Sequence, residues 1–251
     1  MYTKIIGVCF IALLVLTGCS QEDEKTEITI SAAASMKDAL DEIIEEYEND
    51  HDVSITLNSG SSGRLAQQIQ QGAPVDLIIS ANEQWTRRLA DGQHIQSETE
   101  TTIADNSLVL IAHADKESLI DELEQLTTEE DTDIVMGDPE SAPAGNYAKQ
   151  SLQHIGIWDD ISEQLIYSND VRQALTYVES QNADYGLVYA SDALISDQVQ
   201  VIEEIDSTTH DPIVYPAAIT GQSSNQDTAE DFLNYLKTER SQEIFKSYGF
   251  S

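Results

Sequence analysis

The pattern of hydrophobic and polar positions divides the chain into short strand-like segments that alternate with longer helix-like segments. In the first helix-like segment, apolar residues recur every three or four positions, which predicts an amphipathic helix with one buried face. These residues are Met36, Leu40, Ile43, Ile44 and Tyr47. Three apolar segments, 27–30, 53–57 and 75–79, are each followed by a segment of this kind. The order of strand and helix, repeated three times, predicts a parallel sheet with helices on both faces.

A second series of the same kind starts at residue 107. Its predicted strands are 107–112, 134–136, 185–189, 199–202 and 213–219, and its predicted helices are 144–155, 171–178 and two near the C-terminus, around 232–236 and 244–248. Pro216 lies inside the last strand and argues for an edge position or a crossover, because proline cannot donate to a sheet. No segment rich in Gly, Pro or Ser separates the two series. We therefore expect two α/β lobes joined by extended strands, with a ligand cleft where strand ends face each other.

The N-terminal segment has the features of an export signal. Residues 1–18 carry a lysine near the start and an apolar run, 5–16, that is too short for an ordinary membrane span. The sequence LTGC ending at Cys19 resembles a bacterial lipobox, which implies cleavage before Cys19 and attachment of lipid to it; the alternative is a plain secretory signal with an accidental cysteine. Polar residues 19–26 then form a tether to the membrane. Cys9 is lost with the signal, so neither a disulfide nor a cysteine-based metal site is expected.

The chain is strongly acidic, with 46 Asp and Glu against 12 Lys and Arg and a formal net charge of −34. Its long-range field repels anions and nucleic acid, so nucleic-acid binding is not expected. Salt screens distant carboxylates over about 8 Å at physiological ionic strength. Any anion site must therefore work through short, directed hydrogen bonds, and the acidity itself is most simply a solvated surface.

Small hydroxyl residues follow two of the predicted strands at the point where a helix begins. Ser35 ends the sequence AAAS, and Ser59, Ser61 and Ser62 cluster after the second strand. A helix N-terminus offers unsatisfied N–H groups and a partial positive charge, and serine adds an O–H donor with little bulk. The pattern predicts an oxyanion site that needs no cationic side chain.

Three further positions lie at similar junctions in the second series. Ala144 follows a turn rich in Pro and Gly, Val171 begins a helix that Asn169 or Asp170 can cap, and Tyr189 ends a strand. Taken singly, each is typical of an ordinary turn, cap or core residue.

Together, these segments resemble the molybdate-binding component of bacterial ABC importers, the ModA family, over residues 28–251. The matching segments are AAAS (32–35), SGSSGRLAQQI (59–69), GAPVDLIISA (72–81), GDPESAPAGNYAKQSL (137–152), NDVRQAL (169–175), YGLVYASDA (185–193) and IFKSYGF (244–250). The resemblance implies an α/β, bilobal fold like that of type II periplasmic binding proteins, with two mixed-sheet lobes. Lobe 1 is expected at 27–106 plus 216–251, and lobe 2 at 107–215.

The resemblance also implies the residues that hold a tetrahedral oxyanion. They are the hydroxyl groups of Ser35, Ser62 and Tyr189 and the main-chain N–H groups of Ala144 and Val171. Whether Ser61 or Ser62 makes the second serine contact stays open. Arg64 is expected to face solvent, and Arg172 is a second candidate for support, in an ion pair between the lobes.

The implied function is capture of molybdate or tungstate outside the cytoplasm and delivery of the ion to an ABC permease. The protein is expected to be a monomeric lipoprotein anchored to the membrane. Neither a cofactor nor catalysis is expected. Sulfate or another oxyanion is an alternative ligand, and ferric iron is a third. The five histidines (51, 94, 113, 154 and 210) show no metal-ligand spacing. A hydrolase is disfavoured, since the sequence around Ser62 lacks the last glycine of G-x-S-x-G, and no P-loop occurs.

Overall fold

The predicted alternation of strands and helices is present in the computed structural model, which describes residues 25–117, 120–128 and 131–251. The predictions for residues 1–18, Cys19 and most of the tether lie outside the described residues. The strands are β1 Thr26–Ala33, β2 Val53–Gly60, β3 Leu77–Ile79, β4 Thr101–Asp105, β5 Leu108–His113, β6 Ile134–Gly137, β7 Leu165–Ser168, β8 Tyr185–Tyr189, β9 Val199–Glu204 and β10 Val214–Ile219. The helices are α1 Lys37–Asp50, α2 Ser62–Gln70, α3 Glu83–Asp91, α4 Pro143–His154, α5 Val171–Glu179, α6 Ala190–Leu194, α7 Gln226–Leu236 and α8 Glu239–Ser247.

The first sheet has the strand order β2-β1-β3-β10-β4. Its parallel pairs, β1 with β2 and β1 with β3, come from the first series, where helices α1 and α2 supply the crossovers that parallel strands require. Strand β10 returns from the far end of the chain and pairs antiparallel to both β3 and β4. All five apolar residues predicted for the buried face of the first helix are buried in α1 or just before it.

The second sheet has the order β7-β6-β8-β5-β9. Strand β6 is parallel to β7 and β8, whereas β5 is antiparallel to β8 and β9. The chain passes from the first sheet to the second between β4 and β5 and returns between β9 and β10. Two mixed sheets joined in this way confirm the predicted bilobal α/β fold; the exact lobe limits at 106/107 and 215/216 stay a prediction.

Of the two positions that Pro216 indicated for its strand, an edge or a crossover, the structure contradicts the edge and agrees with the crossover, because β10 returns from the second sheet to the first. Strand β10 lies between β3 and β4, inside the sheet. The pairing of β10 with β4 shifts register between Tyr215 and Pro216, and such an irregularity lets a strand accept a residue without an N–H. The carbonyl of Pro216 still accepts a hydrogen bond from the Ser80 N–H at 2.9 Å.

Two strands were not predicted. Strand β4 has the sequence TTIAD, with only two buried residues, and β7 is a short edge strand with one buried residue. Neither sequence has enough apolar residues to show a strand period. Among the described residues, no helix combines the length and the apolarity that a membrane crossing needs.

Candidate functional site

A small cavity lies between the two lobes and is lined from both sides. The first lobe contributes the ends of β1 and β2, the start of α2 and the loop after β3; the second contributes the starts of α4 and α5 and the end of β8. The structure brings together all five residues predicted to contact the ligand, which are Ser35, Ser62, Ala144, Val171 and Tyr189. The cavity measures about 10 Å³, close to the space one ordered water requires. It therefore suits a compact ion rather than an organic molecule.

A larger groove of about 590 Å³ also opens between the lobes, lined in part by Asn82, Arg87, Tyr147 and Asp211. Its charged side chains are of both signs, and Arg87 is paired with Glu83 on its own helix at 3.2 Å. The small cavity is the better candidate site, because it collects hydrogen-bond donors that have no acceptor within the described part of the chain.

The two predicted serines are buried where strands give way to helices. Ser35 lies in a 3-10 turn, Ala34–Met36, between β1 and α1, and its Oγ is 2.8 Å from the hydroxyl of Tyr215. Ser62 is the first residue of α2, and its Oγ accepts a hydrogen bond from the Ala81 N–H at 2.9 Å. Because an amide N–H can only donate, the hydroxyl hydrogen of Ser62 is left for another acceptor.

Burial distinguishes the members of the serine cluster at the end of β2. Ser59 is an exposed residue of β2 and does not line the cavity. Ser61 does line it, at the N-cap of α2, and its buried Oγ has no hydrogen-bond partner within the described part of the chain. Ser61 and Ser62 therefore both remain available to a ligand.

The second lobe presents two backbone donors at helix starts. Val171 is the first residue of α5, which Asp170 caps by accepting from the Gln173 N–H at 3.0 Å. Ala144 is the second residue of α4, after Pro143. N–H groups in the first turn of a helix have no acceptor within that helix, so both are free to bind an anion.

Gly145 explains why α4 can begin so close to the end of β6. A Cβ at this position would lie 1.9 Å from the carbonyl oxygen of Gly137. Only glycine allows this approach, and it sets the place of the neighbouring Ala144 N–H.

Tyr189 contributes a phenol that the protein itself does not satisfy. Its side chain is buried, and its hydroxyl has no hydrogen-bond partner among the described residues. Burial raises the pKa of the Tyr189 phenol well above its usual value, so the group remains a neutral donor. An unsatisfied buried hydroxyl costs about 1–3 kcal/mol, which an acceptor on a ligand would recover.

Several contacts hold the two lobes together around the cavity. The Gly63 N–H donates to the Ser141 carbonyl at 3.0 Å, and Tyr147 Oη lies 3.3 Å from the Ala81 carbonyl. The Arg64 side chain is exposed, as predicted, and donates to Asn169 Oδ1 of the other lobe.

Arg172 forms the predicted ion pair between the lobes. One Nη lies 2.6 Å from Asp38 Oδ2 of α1 and donates to the Ser35 carbonyl at 3.1 Å, while Nε lies 2.6 Å from Asp192 Oδ1. Asp192 is fully buried, and burial raises its pKa to about 7 although Arg172 opposes the shift. Arg172 thus places one positive charge beside the cavity, next to two of the predicted ligand residues.

Sequence reasoning identified the wall of the cavity but missed Tyr215 and Asn106 behind it. The Tyr215 hydroxyl is hydrogen-bonded to Ser35 and to Asn106, and each of these two bonds spans more than a hundred residues of sequence. No local pattern marks such a pairing. Across the described ranges, no group of three or more His, Cys, Asp or Glu residues is arranged to hold a metal ion.

Comparison with known proteins agrees with this architecture. Residues 28–251 match the family model of a bacterial extracellular solute-binding protein. YvgL of Bacillus subtilis (strain 168), named as an ABC transporter substrate-binding lipoprotein, is 40% identical over 247 residues, which are 96% of this chain and 94% of YvgL. The molybdate-binding protein ModA of Escherichia coli (strain K12) is 38% identical over 232 residues, 91% of this chain and 90% of ModA.

Among solved structures, the periplasmic molybdate-binding protein of Azotobacter vinelandii superposes with a TM-score of 0.80 at 25% identity. The match covers 89% of this chain and 98% of that protein. The resemblance drawn from the sequence is therefore confirmed.

Proposed function

The chain belongs to the family of bacterial extracellular solute-binding proteins, and we propose that it captures molybdate or tungstate outside the cytoplasm and delivers the ion to the permease of an ABC importer. One observation carries the proposal: Tyr189, whose buried hydroxyl has no hydrogen-bond partner among the described residues, lines a cavity together with Ala144 and Val171 at the starts of two helices. Ser35 and Ser62 complete the proposed set of ligands.

The chemistry of the donors favours a fully ionised tetrahedral anion. Molybdate and tungstate are dianions near neutral pH and carry no proton, so a pocket of N–H and O–H donors satisfies them. Hydrogen phosphate brings a proton that needs an acceptor. Sulfate has the same charge but shorter bonds, so it leaves donors unpaired at a cost of about 1–3 kcal/mol each. A ferric ion would require anionic ligands, which this set does not offer.

We propose further that the protein acts as a monomer anchored to the cell membrane through lipid on Cys19, with no cofactor. The lipobox-like sequence LTGC supports anchoring, as does the lipoprotein name of the relative YvgL. Replacement Cys19→Ala should move the protein from the membrane fraction to the soluble fraction.

Ligand-dependent stabilisation tests the proposed ligand. Thermal unfolding of the purified protein is measured with molybdate, tungstate, sulfate, phosphate or ferric citrate, and titration calorimetry gives the stoichiometry. One molybdate or tungstate ion should bind, and ligand at 100 times its Kd should stabilise the fold by about 2.7 kcal/mol. A clear shift with sulfate and none with molybdate or tungstate would contradict the proposal. Variants Ser61→Ala and Ser62→Ala in the same assay identify the second serine ligand.

A further inference from the structure

On the premise that the cavity binds an oxyanion as proposed above, we propose that Asn106, Tyr215 and Ser35 form a one-way hydrogen-bond chain that directs the Ser35 hydroxyl hydrogen at the ligand. Tyr215 and Asn106 are then positioning residues that determine specificity without touching the ion. The three side chains are joined by Ser35 Oγ to Tyr215 Oη at 2.8 Å and Asn106 Nδ2 to Tyr215 Oη at 3.2 Å.

The donor-to-acceptor direction of this hydrogen-bond chain is fixed by the orientation of the Asn106 amide. The Ser107 N–H lies 2.9 Å from Asn106 Oδ1 and can only donate, so this side of the amide must be the oxygen. The amide nitrogen therefore faces the other way, toward Ser191 Oγ at 2.8 Å and Tyr215 Oη. An amide NH2 group has no acceptor, so Tyr215 Oη must accept from Asn106.

The Tyr215 hydroxyl in turn donates its hydrogen to Ser35 Oγ. The Tyr215 side chain is fully buried, and Asn106 and Ser35 are the hydrogen-bond partners of its hydroxyl among the described residues. If Tyr215 accepted from both, its own hydrogen would be buried without a partner, which is unfavourable. Burial, together with the charge of Asp192, raises the pKa of the Tyr215 phenol, so the hydrogen stays on the ring hydroxyl and is donated to Ser35.

Ser35 Oγ consequently accepts inside the protein and keeps its hydrogen for the cavity. Ser62 is set in the same way, since its Oγ accepts from the Ala81 N–H. Both serine hydroxyls are thereby held as donors before any ligand arrives. An oxyanion without a proton meets Ser35 and Ser62 as donors, whereas one that carries a proton finds neither of these two serines oriented to accept it.

Tyr215→Phe keeps the aromatic ring and removes the link to Ser35. Affinity for molybdate should fall about tenfold, the effect of one net hydrogen bond. The ratio of affinity for hydrogen phosphate to affinity for sulfate should rise, because Ser35 becomes free to turn and accept a proton. Tyr185→Phe is the matched control: Tyr185 is equally buried, its hydroxyl has no hydrogen-bond partner in the described part of the chain, and it does not line the cavity.

Asn106→Asp tests the direction itself. The new carboxylate would accept from Tyr215, so Tyr215 would accept from Ser35 and draw its hydrogen away from the ligand. We expect a larger loss of molybdate affinity than in Tyr215→Phe. Because the carboxylate also repels the anion directly, the double variant Asn106→Asp/Tyr215→Phe is needed to separate the two effects.

Asn106→Asp should reduce affinity less in the Tyr215→Phe background than in the wild type, because reversal requires the Tyr215 hydroxyl and only the direct repulsion by the carboxylate remains. Additive losses, or equal affinities of Tyr215→Phe and Tyr185→Phe, would overturn the hydrogen-bond chain while leaving the proposed function intact. A wild-type protein that binds no oxyanion would overturn both. If Asn106→Asp does not fold, as judged by circular dichroism, the hydrogen-bond chain is tested by Tyr215→Phe alone. Its molybdate affinity and its ratio of hydrogen phosphate affinity to sulfate affinity must then both change as stated above.

Discussion

Tyr189 holds a hydroxyl with no hydrogen-bond partner among the described residues, a property that it shares with Ser61 and that separates both from Ser35 and Ser62. Ser35 and Ser62 each have a partner inside the protein, whereas the Tyr189 hydroxyl has none among the described residues. A group of this kind weakens the ligand-free fold and strengthens the complex. Loss of the hydroxyl should therefore affect binding and folding in opposite directions.

Tyr189→Phe is expected to lower the affinity for molybdate about tenfold, since one hydrogen bond to the anion is lost. The free energy of unfolding of the ligand-free protein should stay the same or rise slightly. Titration calorimetry measures the first and urea unfolding the second. Unchanged affinity would remove Tyr189 from the set of ligands; a large loss of stability would show that its hydroxyl has a structural partner.

At this scale, the strand-to-helix pattern pointed to Ser35 and to the serine cluster, whereas the complete set of five candidate ligands came only through the resemblance to a family. Each alone is typical of a cap, a turn or a core residue. The orientation of the Ser35 hydroxyl could not be predicted, because it depends on Asn106, between β4 and β5, and on Tyr215, at the start of β10.

Helix starts are the elements that build the site, and glycine lets two of them approach their neighbours. Gly145 brings α4 against the end of β6, and Gly63 in the first turn of α2 brings that helix against the second lobe. A Cβ at Gly63 would lie 2.5 Å from the Ser141 carbonyl oxygen of the other lobe and 2.6 Å from the ring of Trp85 in its own lobe. Closure of α2 onto the second lobe thus requires a residue without a side chain.

Gly63→Ala should keep the lobes apart and weaken molybdate binding by at least tenfold, because backbone at Ser141 cannot yield as a flexible side chain can. Small-angle X-ray scattering with saturating molybdate should report a larger radius of gyration than for wild type. The contact with Trp85 is relieved by making the change in a Trp85→Phe background, with Trp85→Phe alone as the control. Full closure of the double variant would contradict this account.

The order of elements was largely predictable from periodicity, because most strands and helices bury a continuous apolar face. Strands β4 and β7 were missed since each has too few buried residues to show a period. Of the two alternatives inferred from Pro216, the edge position was wrong, because a register shift in β10 removes the need for its N–H, whereas the crossover is present.

At the scale of the molecule, the lobes are joined by an ion pair that lies directly behind the cavity. Arg172 contacts Asp38 across the cleft, while its other side is held by the buried Asp192. Removing Arg172 would leave the Asp192 carboxylate buried without its partner and destabilise the second lobe. The link between lobes is therefore better tested from the Asp38 side.

Asp38→Asn should weaken molybdate binding a few-fold and speed its release, since a half-exposed ion pair contributes about 0.2–1 kcal/mol. Asp41→Asn is the matched control: it lies on the same helix, changes the net charge equally, and breaks a pair with Lys37 that stays within α1. Stopped-flow dissociation measures the release rate. Equal rates for the two variants would show that the Asp38 pair does not hold the lobes closed.

The net charge of −34 repels the molybdate dianion at long range, whereas the helix starts attract it at short range. Before the ion reaches the helix starts, it meets a repulsive field that salt weakens, as the Debye length falls from about 30 Å at 0.01 M to about 8 Å at 0.15 M. The association rate of molybdate should therefore rise with sodium chloride over this range, contrary to ordinary electrostatic steering. Potassium chloride at equal ionic strength should give the same curve, because screening does not depend on the cation. An association rate that falls as salt is added would mean that the attraction by Arg172 and the helix starts exceeds the repulsion by the acidic surface, even before the ion enters the cleft.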